Sequence, residues 1–232
     1  MVTVLSYLII VFGYLAILIF ILGIAYRIWS WKRLPTGFSW GIFPQPTKWP
    51  VISVIWRAFA WPNLFRANTI LWIGAILFHL GILMLFVGHL GNFIDMLAFT
   101  ESLGISHDAT YQIGIYAGII AAAAIIFFSI RRMLVVKGKE VSSFSDHFVL
   151  WFLLVVVVFG IYARVFDEVS SETVRGFALS VVRFNPVLPP ENVWFLVHTL
   201  LAEIFIIYAV AAKPMHLVGQ FFTQYILVSE KR

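Results

Sequence analysis

The sequence predicts an all-α integral membrane protein, a bundle of five transmembrane helices. Hydrophobic residues make up 62% of the 232 positions and charged residues only 12%, whereas soluble domains average about 45–50% and about 25%. Five separate stretches each reach the roughly 20 mostly apolar residues that a spanning helix needs. The connections between them are short, so we expect one membrane domain over residues 1–232 and no separate soluble domain.

The five predicted spans lie at about residues 4–26, 69–93, 111–130, 147–166 and 193–213. Each should be a helix, because a lone apolar segment in lipid has to satisfy its own backbone hydrogen bonds. The first stretch lacks an early positive charge and exceeds the usual apolar length of a signal peptide, about 7–15 residues. Arg27 ends it, so we interpret it as an uncleaved first span.

The basic residues are unevenly divided among the connections. The first and third connections hold most of them: Arg27, Lys32, Arg33, Lys48, Arg57 and Arg66, then Arg131, Arg132, Lys137 and Lys139. The second connection has only acids, and the fourth has more acids than bases. Because cytoplasmic loops are enriched in Lys and Arg, we expect the N-terminus outside, the C-terminus cytoplasmic, and a multi-pass protein of the cell membrane.

Tryptophans crowd the first connection, where indoles favour the membrane interface. Residues 51–65 mix apolar side chains with Arg57 and Pro62, a pattern typical of a broken amphipathic segment on the membrane surface. This segment is interpreted equally well as a simple anchor or as a docking surface for a cytoplasmic partner.

The chain has no cysteine. This excludes disulfides, Cys-ligated iron–sulfur clusters, thioether-attached haem and a thiol nucleophile in this chain. The net charge of +5 follows from the loop asymmetry described above, so nucleic-acid binding is not indicated.

Four histidines on two predicted spans are the main candidate site. His79 and His89 lie on the second span, and His198 and His216 on or just after the fifth. Antiparallel helices would bring together an outer pair, His89 with His198, and an inner pair, His79 with His216. Ten residues separate the two levels on the second span by about 15 Å, which allows one porphyrin toward each leaflet.

The helical spacing of the histidines supports this pairing only in part. Eighteen residues return to the same helix face, so His198 and His216 share one face. However, eighteen residues span about 27 Å, against about 15 Å on the partner helix. Pro214 should distort the helix before His216 and absorb some of the difference.

Two histidines fill both axial positions of a haem iron, which suits electron transfer and not oxygen activation. Imidazoles also bind copper or zinc, but such an ion needs its ligands to converge on one point. In another interpretation the four rings make only interhelical hydrogen bonds. A haem-free anchor for a cytoplasmic enzyme and a small proton-coupled transporter are the alternative functions.

The histidine motif resembles a known family. The run FHLGILMLFVGH at 78–89, the spacing of His198 and His216, and the five spans are similar to the gamma subunit of respiratory nitrate reductase. The segments NPVLPP at 185–190 and KPMHLVGQF at 213–221 resemble the cytochrome b subunits of heterodisulfide-reductase-like menaquinol oxidoreductases. The resemblance covers all five spans.

The resemblance implies a dihaem cytochrome b subunit of a respiratory complex. His89 and His198 would ligate the outer haem b, and His79 and His216 the inner one. Menaquinol would be oxidised near the outer face at this subunit, and electrons would reach a cytoplasmic iron–sulfur partner. Gly88 matches a glycine beside the family's distal ligand, where a quinol ring can approach closely.

Other polar residues near the predicted spans are candidates for a role in quinol or haem binding. The nitrate-reductase branch has a lysine before its third span, and this chain has none there; His107 can take the quinol proton instead, or it is a solvated loop histidine. Arg164 and Lys213 can pair with haem propionates or snorkel to the interface.

Glu203, within the fifth span, is interpreted as forming a structural hydrogen bond or as acting in a proton relay. The G-x-x-x-G of Gly114 and Gly118 predicts close helix packing.

Overall fold

A computed structural model describes residues 2–33, 50–135, 143–166 and 169–211, together with His216 and Gly219. The regular structure in these residues is helical, which confirms the all-α prediction. The described residues form one 3-10 turn (Leu90–Asn92) and nine α-helices: α1 (Val2–Lys32), α2 (Pro50–Ala60), α3 (Pro62–Ala67), α4 (Thr69–His89), α5 (Met96–Ser102), α6 (His107–Leu134), α7 (Phe144–Val165), α8 (Ser171–Val182) and α9 (Val193–Ala211).

Five of these helices, α1, α4, α6, α7 and α9, are long and apolar enough to cross a membrane. They coincide with the five predicted spans to within a few residues, so the prediction of a multi-pass membrane protein is confirmed. The side of the membrane on which each end lies, and the single domain over 1–232, stay predictions. The second and fourth connections contain the short helices α5 and α8, which the sequence analysis does not predict.

Polar caps fix where the spans begin. Asn68 precedes α4 and accepts the backbone N–H of Leu71 at 2.8 Å. Ser143 precedes α7 and forms a reciprocal capping box with Asp146. Such caps satisfy N–H groups that have no partner within the helix. They therefore fix the residues at which α4 and α7 begin.

The five long helices form an arc in the order α4, α6, α7, α9, α1, each packed on the next. Of the five spans, α6 is the most buried. Its buried face consists largely of small residues: Ala117, Gly118, Ala121 and Ala124. Small side chains let neighbouring backbones approach closely, so α6 can pack closely against both α4 and α7.

Neighbours along the arc from α4 to α9 run antiparallel. Gly81 of α4 lies against Ala117 and Ala121 of α6, and further contacts reverse the direction again from α6 to α7 and from α7 to α9. Three reversals make α4 antiparallel to α9, as predicted. By contrast, α1 runs parallel to α9, because Gly13 lies beside Glu203 and Gly23 beside Val210.

The two ends of the bundle are closed differently. At the His89 end, α8 packs on the 3-10 turn, and α1, α8 and α9 share an apolar cluster: Ile9, Phe177, Val181 and Leu196. At the other end, α2 and α3 form a helical corner that breaks at Trp61–Pro62. The predicted segment 51–65 is therefore helical and broken at the proline.

Candidate functional site: two histidine pairs

The structure brings the four predicted histidines together as two pairs. The ring centroids of His89 and His198 lie 6.0 Å apart, and those of His79 and His216 also lie 6.0 Å apart. The two histidines of each pair therefore meet, although helical rise predicts a longer axial separation between His198 and His216 than between His79 and His89. The chain around Pro214 lies outside the described residues. In each pair one ring is half-buried and the other is exposed: His79 and His198 are half-buried, His89 and His216 exposed.

Backbone carbonyls fix the orientation of three of these rings. The Nδ1 atoms of His79, His89 and His198 lie 2.8, 2.6 and 3.0 Å from carbonyl oxygens. The acceptors are Ala75 and Leu85, four residues back on α4, and Val156 of α7. Because a carbonyl can only accept, Nδ1 must donate, and in the neutral ring Nε2 then keeps its lone pair. This is the tautomer and the supporting bond typical of a metal-ligating histidine.

The distance between the two rings of each pair fits one iron held between two imidazoles. Two metal–imidazole bonds of about 2 Å, together with the distance from each nitrogen to its ring centre, separate two centroids by roughly 6 Å. Within the described residues, no group of three or more His, Cys, Asp or Glu is placed to hold a metal ion. Two imidazoles without further protein ligands suit a metal whose other positions are supplied by a macrocycle, as in haem.

The outer pair is seated by glycine. A Cβ placed on Gly160 of α7 would lie 2.8 Å from Cε1 of His198, so only the missing side chain makes room for that ring. A Cβ on Gly88 would meet no atom of the described chain within 4 Å. Gly88, the residue before His89, therefore faces open space.

The inner pair is seated by aromatic rings. The indole of Trp61 lies 4.6 Å from the His79 ring, centroid to centroid, with the planes inclined by 50°. Phe78 packs edge-on against the same imidazole at 5.0 Å. His79 thus has two aromatic neighbours in addition to its carbonyl bond.

Arg164, a candidate for haem propionates, is held at the end of α7. The hydroxyl of Tyr111 donates to the Arg164 carbonyl oxygen, and the guanidinium carbon lies 4.8 Å from the Tyr111 ring centre. A Cβ on Gly114 would lie 3.1 Å from that carbon. Gly114 therefore makes room for a cation, whereas Gly118 packs against Ile161 as the helix-packing motif predicts. Lys213, the second candidate, lies outside the described residues.

His107, the candidate proton acceptor, begins α6 and lines a cavity of about 390 Å³. Glu172 of α8 shares this cavity, with Leu97, Ser170 and Ser171. The side chain of His107 is 54% exposed, and its Nδ1 lies 3.9 Å from a carboxylate oxygen of Asp108. Both interpretations of His107, as a proton acceptor and as a solvated histidine, are compatible with this position.

Glu203 lies in the contact between α9 and α1. Its Oε1 is 3.0 Å from the position of a Cβ on Gly13, and its Oε2 is buried with no hydrogen-bond partner within the described part of the chain. The structural hydrogen bond expected for this carboxyl is therefore not found at Oε2. The notch at Gly13 explains how α1 tolerates a carboxyl at this position.

The residues that hold the histidine rings are not among the sequence predictions. Gly160 is an isolated glycine among bulky apolar residues, and such a glycine indicates close packing. Trp61 precedes a proline, which marks a helix boundary. These signals locate a special position, but neither says which histidine it contacts.

Comparison with known proteins identifies the family. Residues 54–228 match the family described as the nitrate reductase gamma subunit. The chain belongs to this family. The resemblance predicted from the histidine motif is thereby confirmed.

Relatives of both predicted kinds are found. The chain is 29% identical over 252 residues to an Hdr-like menaquinol oxidoreductase cytochrome b-like subunit of Archaeoglobus profundus, covering 90% of this chain and 75% of the relative. The protein of the same name from Archaeoglobus fulgidus is 26% identical, with 90% and 76% covered. The nitrate reductase gamma chain of Bacillus subtilis is 26% identical, with 68% and 78% covered.

Proposed function

We propose that the chain is the dihaem cytochrome b subunit of a respiratory oxidoreductase complex, oxidising menaquinol near the outer face and delivering electrons to a cytoplasmic iron–sulfur partner. The single observation that carries the proposal is the geometry of the two histidine pairs. Both have the spacing that one iron between two imidazoles requires, and three of the four rings have Nδ1 bound to a carbonyl. The family and the named relatives support a membrane cytochrome b subunit.

The four histidines would hold two haems b, one per pair. Bound in this way, a haem supplies reversible one-electron chemistry and no open position for oxygen. The carbonyls of Ala75, Leu85 and Val156 keep three of the rings in the ligating tautomer. The helices α4 and α9 set the two levels, about 15 Å apart along α4 by helical rise.

The outer level is the proposed side of quinol oxidation. Open space beside Gly88 can admit a flat ring close to His89. Nearer the aqueous edge of the bundle, His107 and Glu172 line one cavity, and either group can accept a proton released by quinol. We therefore assign quinol protons to the His89 end of the bundle, which the charge distribution of the loops predicts to be the outer side.

The partner is proposed from the relatives. Their names describe subunits of oxidoreductases, and this chain has no cysteine with which to hold an iron–sulfur cluster itself. The electrons would leave from the inner level, near the helical corner of α2 and α3. A complex of this kind would release quinol protons outside and so contribute to the proton-motive force.

The test is a dithionite-reduced visible spectrum of the purified subunit together with single histidine variants. The wild type should show b-type bands, and His89→Ala and His79→Ala should each lose about half of the haem, because each breaks one pair. His147→Ala, on α7 and in neither pair, is the matched control and should keep both haems. A flat wild-type spectrum would instead support the haem-free anchor.

Quinol reactivity separates the two levels further. His89→Ala should abolish haem reduction by a menaquinol analogue, while dithionite still reduces the remaining inner haem. His107→Gln should keep both haems and slow the reduction by quinol. Full haem content in His89→Ala would reject the proposed pairing.

A further inference from the structure

Trp61 has a backbone conformation that is unusual for its residue type. Its φ and ψ are 41° and 55°, in the left-handed region. For an L-residue with a side chain this region is sterically unfavourable, and such residues persist only where their surroundings hold them in place. The chain adopts this conformation at the junction of α2 and α3, directly before Pro62.

The surroundings of Trp61 anchor this junction to the span that carries His79. The indole Nε1 of Trp72, on α4, donates to the carbonyl oxygen of Ala60 at 2.8 Å. The Trp72 ring also packs edge-on against Phe65 of α3, with centroids 5.1 Å apart. The corner is thus attached to α4 on both sides of Trp61.

The indole of Trp61 consequently packs against the ring of His79, with the two planes inclined by 50°. Its centroid is 4.6 Å from that of His79, whereas the centroid of His216 is 6.0 Å from that of His79. Of the four predicted ligands, His79 is the one that the described residues place against an indole. The strained backbone and the ring contact are independent observations that meet at one residue.

We propose that Trp61 is a positioning residue that holds the His79 ring and lowers the reduction potential of the inner haem. This rests on the proposed function. An imidazole bound to iron carries more positive charge when the iron is oxidised, and an aromatic face attracts positive charge. The indole therefore stabilises the oxidised form more than the reduced form. Because Trp61 also joins α2 to α3, a partner that moves α2 would alter the contact between Trp61 and His79.

The experiment compares three replacements of Trp61 in the haem-loaded subunit by redox titration and low-temperature electron paramagnetic resonance. Trp61→Ala removes the indole and keeps the strained backbone, whereas Trp61→Gly removes the indole and relieves the strain. Both should shift the inner potential upward and change the inner resonance signal. Trp61→Phe keeps an aromatic face and should restore most of the wild-type values. The outer potential should not move in any variant.

The control is Trp56→Ala, at a tryptophan of α2 that is 62% exposed, which should leave both potentials unchanged. Wild-type potentials in Trp61→Ala, or their restoration by Gly, would overturn the proposal. If the alanine variant does not accumulate, Trp61→Leu is compared with Trp61→Phe, and equal inner potentials in these two would overturn it as well. A wild type without haem would refute the proposed function itself, whereas wild-type haem with unaltered variants refutes only this inference.

Discussion

The inner and outer histidine pairs share one spacing but are built in opposite ways. In the inner pair, α4 supplies the half-buried ring, His79, in the middle of its span, and the exposed ring is His216, beyond α9. In the outer pair, α9 supplies the half-buried ring, His198, and the exposed ring is His89, the last residue of α4. The helix α4 therefore contributes one enclosed ring and one ring at its end, whereas α9 contributes the enclosed ring His198 and the chain beyond it contributes His216.

The seats of the enclosed rings differ as well. His79 lies among aromatic rings and is bonded to a carbonyl of its own helix, whereas His198 lies in a glycine notch and is bonded to a carbonyl of α7. The outer seat thus depends on the fit between two spans, and the inner seat on side chains near the helical corner. It follows that the two levels can be disturbed separately or together, according to which contact is changed.

The largest effect is expected at Gly81, which lies between the two levels on α4. A Cβ there would be 3.1 Å from backbone atoms of Ala117 and Ala121, which cannot yield as a flexible side chain can. Gly81→Leu should therefore push α4 away from α6 and cost about 1–3 kcal/mol or more. Both haems should be lost to a similar extent, and the melting temperature of the subunit should fall.

The matched control for Gly81 is Gly176→Leu on α8, where a new Cβ meets nothing within 4 Å. It should keep haem content and melting temperature near the wild-type values. Loss of only one haem in Gly81→Leu would show that the two levels do not depend equally on the packing of α4 on α6.

An intermediate effect is expected at Gly160. Gly160→Val would place atoms where the His198 ring lies, since even a Cβ comes within 2.8 Å of it. The variant should lose the outer haem, about half of the reduced absorbance, and keep the inner potential. Overpacking of this kind costs about 1–3 kcal/mol. Equal loss from both levels would contradict the separate seating described above.

The smallest effect is expected at the ion pair of Arg175 and Asp95, whose charged atoms lie 2.8 Å apart. The pair ties α8 to the segment that follows His89. A backbone N–H of Ala98, and then Arg175, hold the pKa of the Asp95 carboxyl below its ordinary value. A lowered pKa means that the tie is fully present above the ordinary carboxyl value, about 3.9, and is lost as pH falls through the lower folded value.

Hydrogen–deuterium exchange in α8 and the turn after His89 measures this tie. Arg175→Ala should speed exchange there only slightly, roughly up to five-fold, because exposed ion pairs contribute little. After correction for intrinsic rates, acid should loosen the same segment in the wild type but not in Asp95→Asn. Glu101→Gln, on α5, is the control. A pH response that survives Asp95→Asn would assign the effect to another group.

Much of the fold follows from the sequence because hydropathy is a property of one helix at a time. Hydropathy predicts the five spans. The number of spans between α4 and α9 then predicts that these two helices are antiparallel, and the positions of the histidines along them predict both pairs. The seats could not be predicted, since they depend on which face of α7 meets α9 and on how the chain turns at Trp61. Gly114 shows the same limit: its spacing predicts helix packing, but the structure uses its space for the guanidinium of Arg164.

The chain order of the paired rings has a consequence for how such a subunit is made. In each pair the first histidine belongs to α4 and the second lies at or after the start of α9, with two complete spans synthesised in between. A nascent chain that has only just inserted α4 would have one ligand per iron and no second. On the proposed function, cofactor capture must therefore wait until the last span has entered the bilayer, so premature termination anywhere before α9 should yield a colourless product.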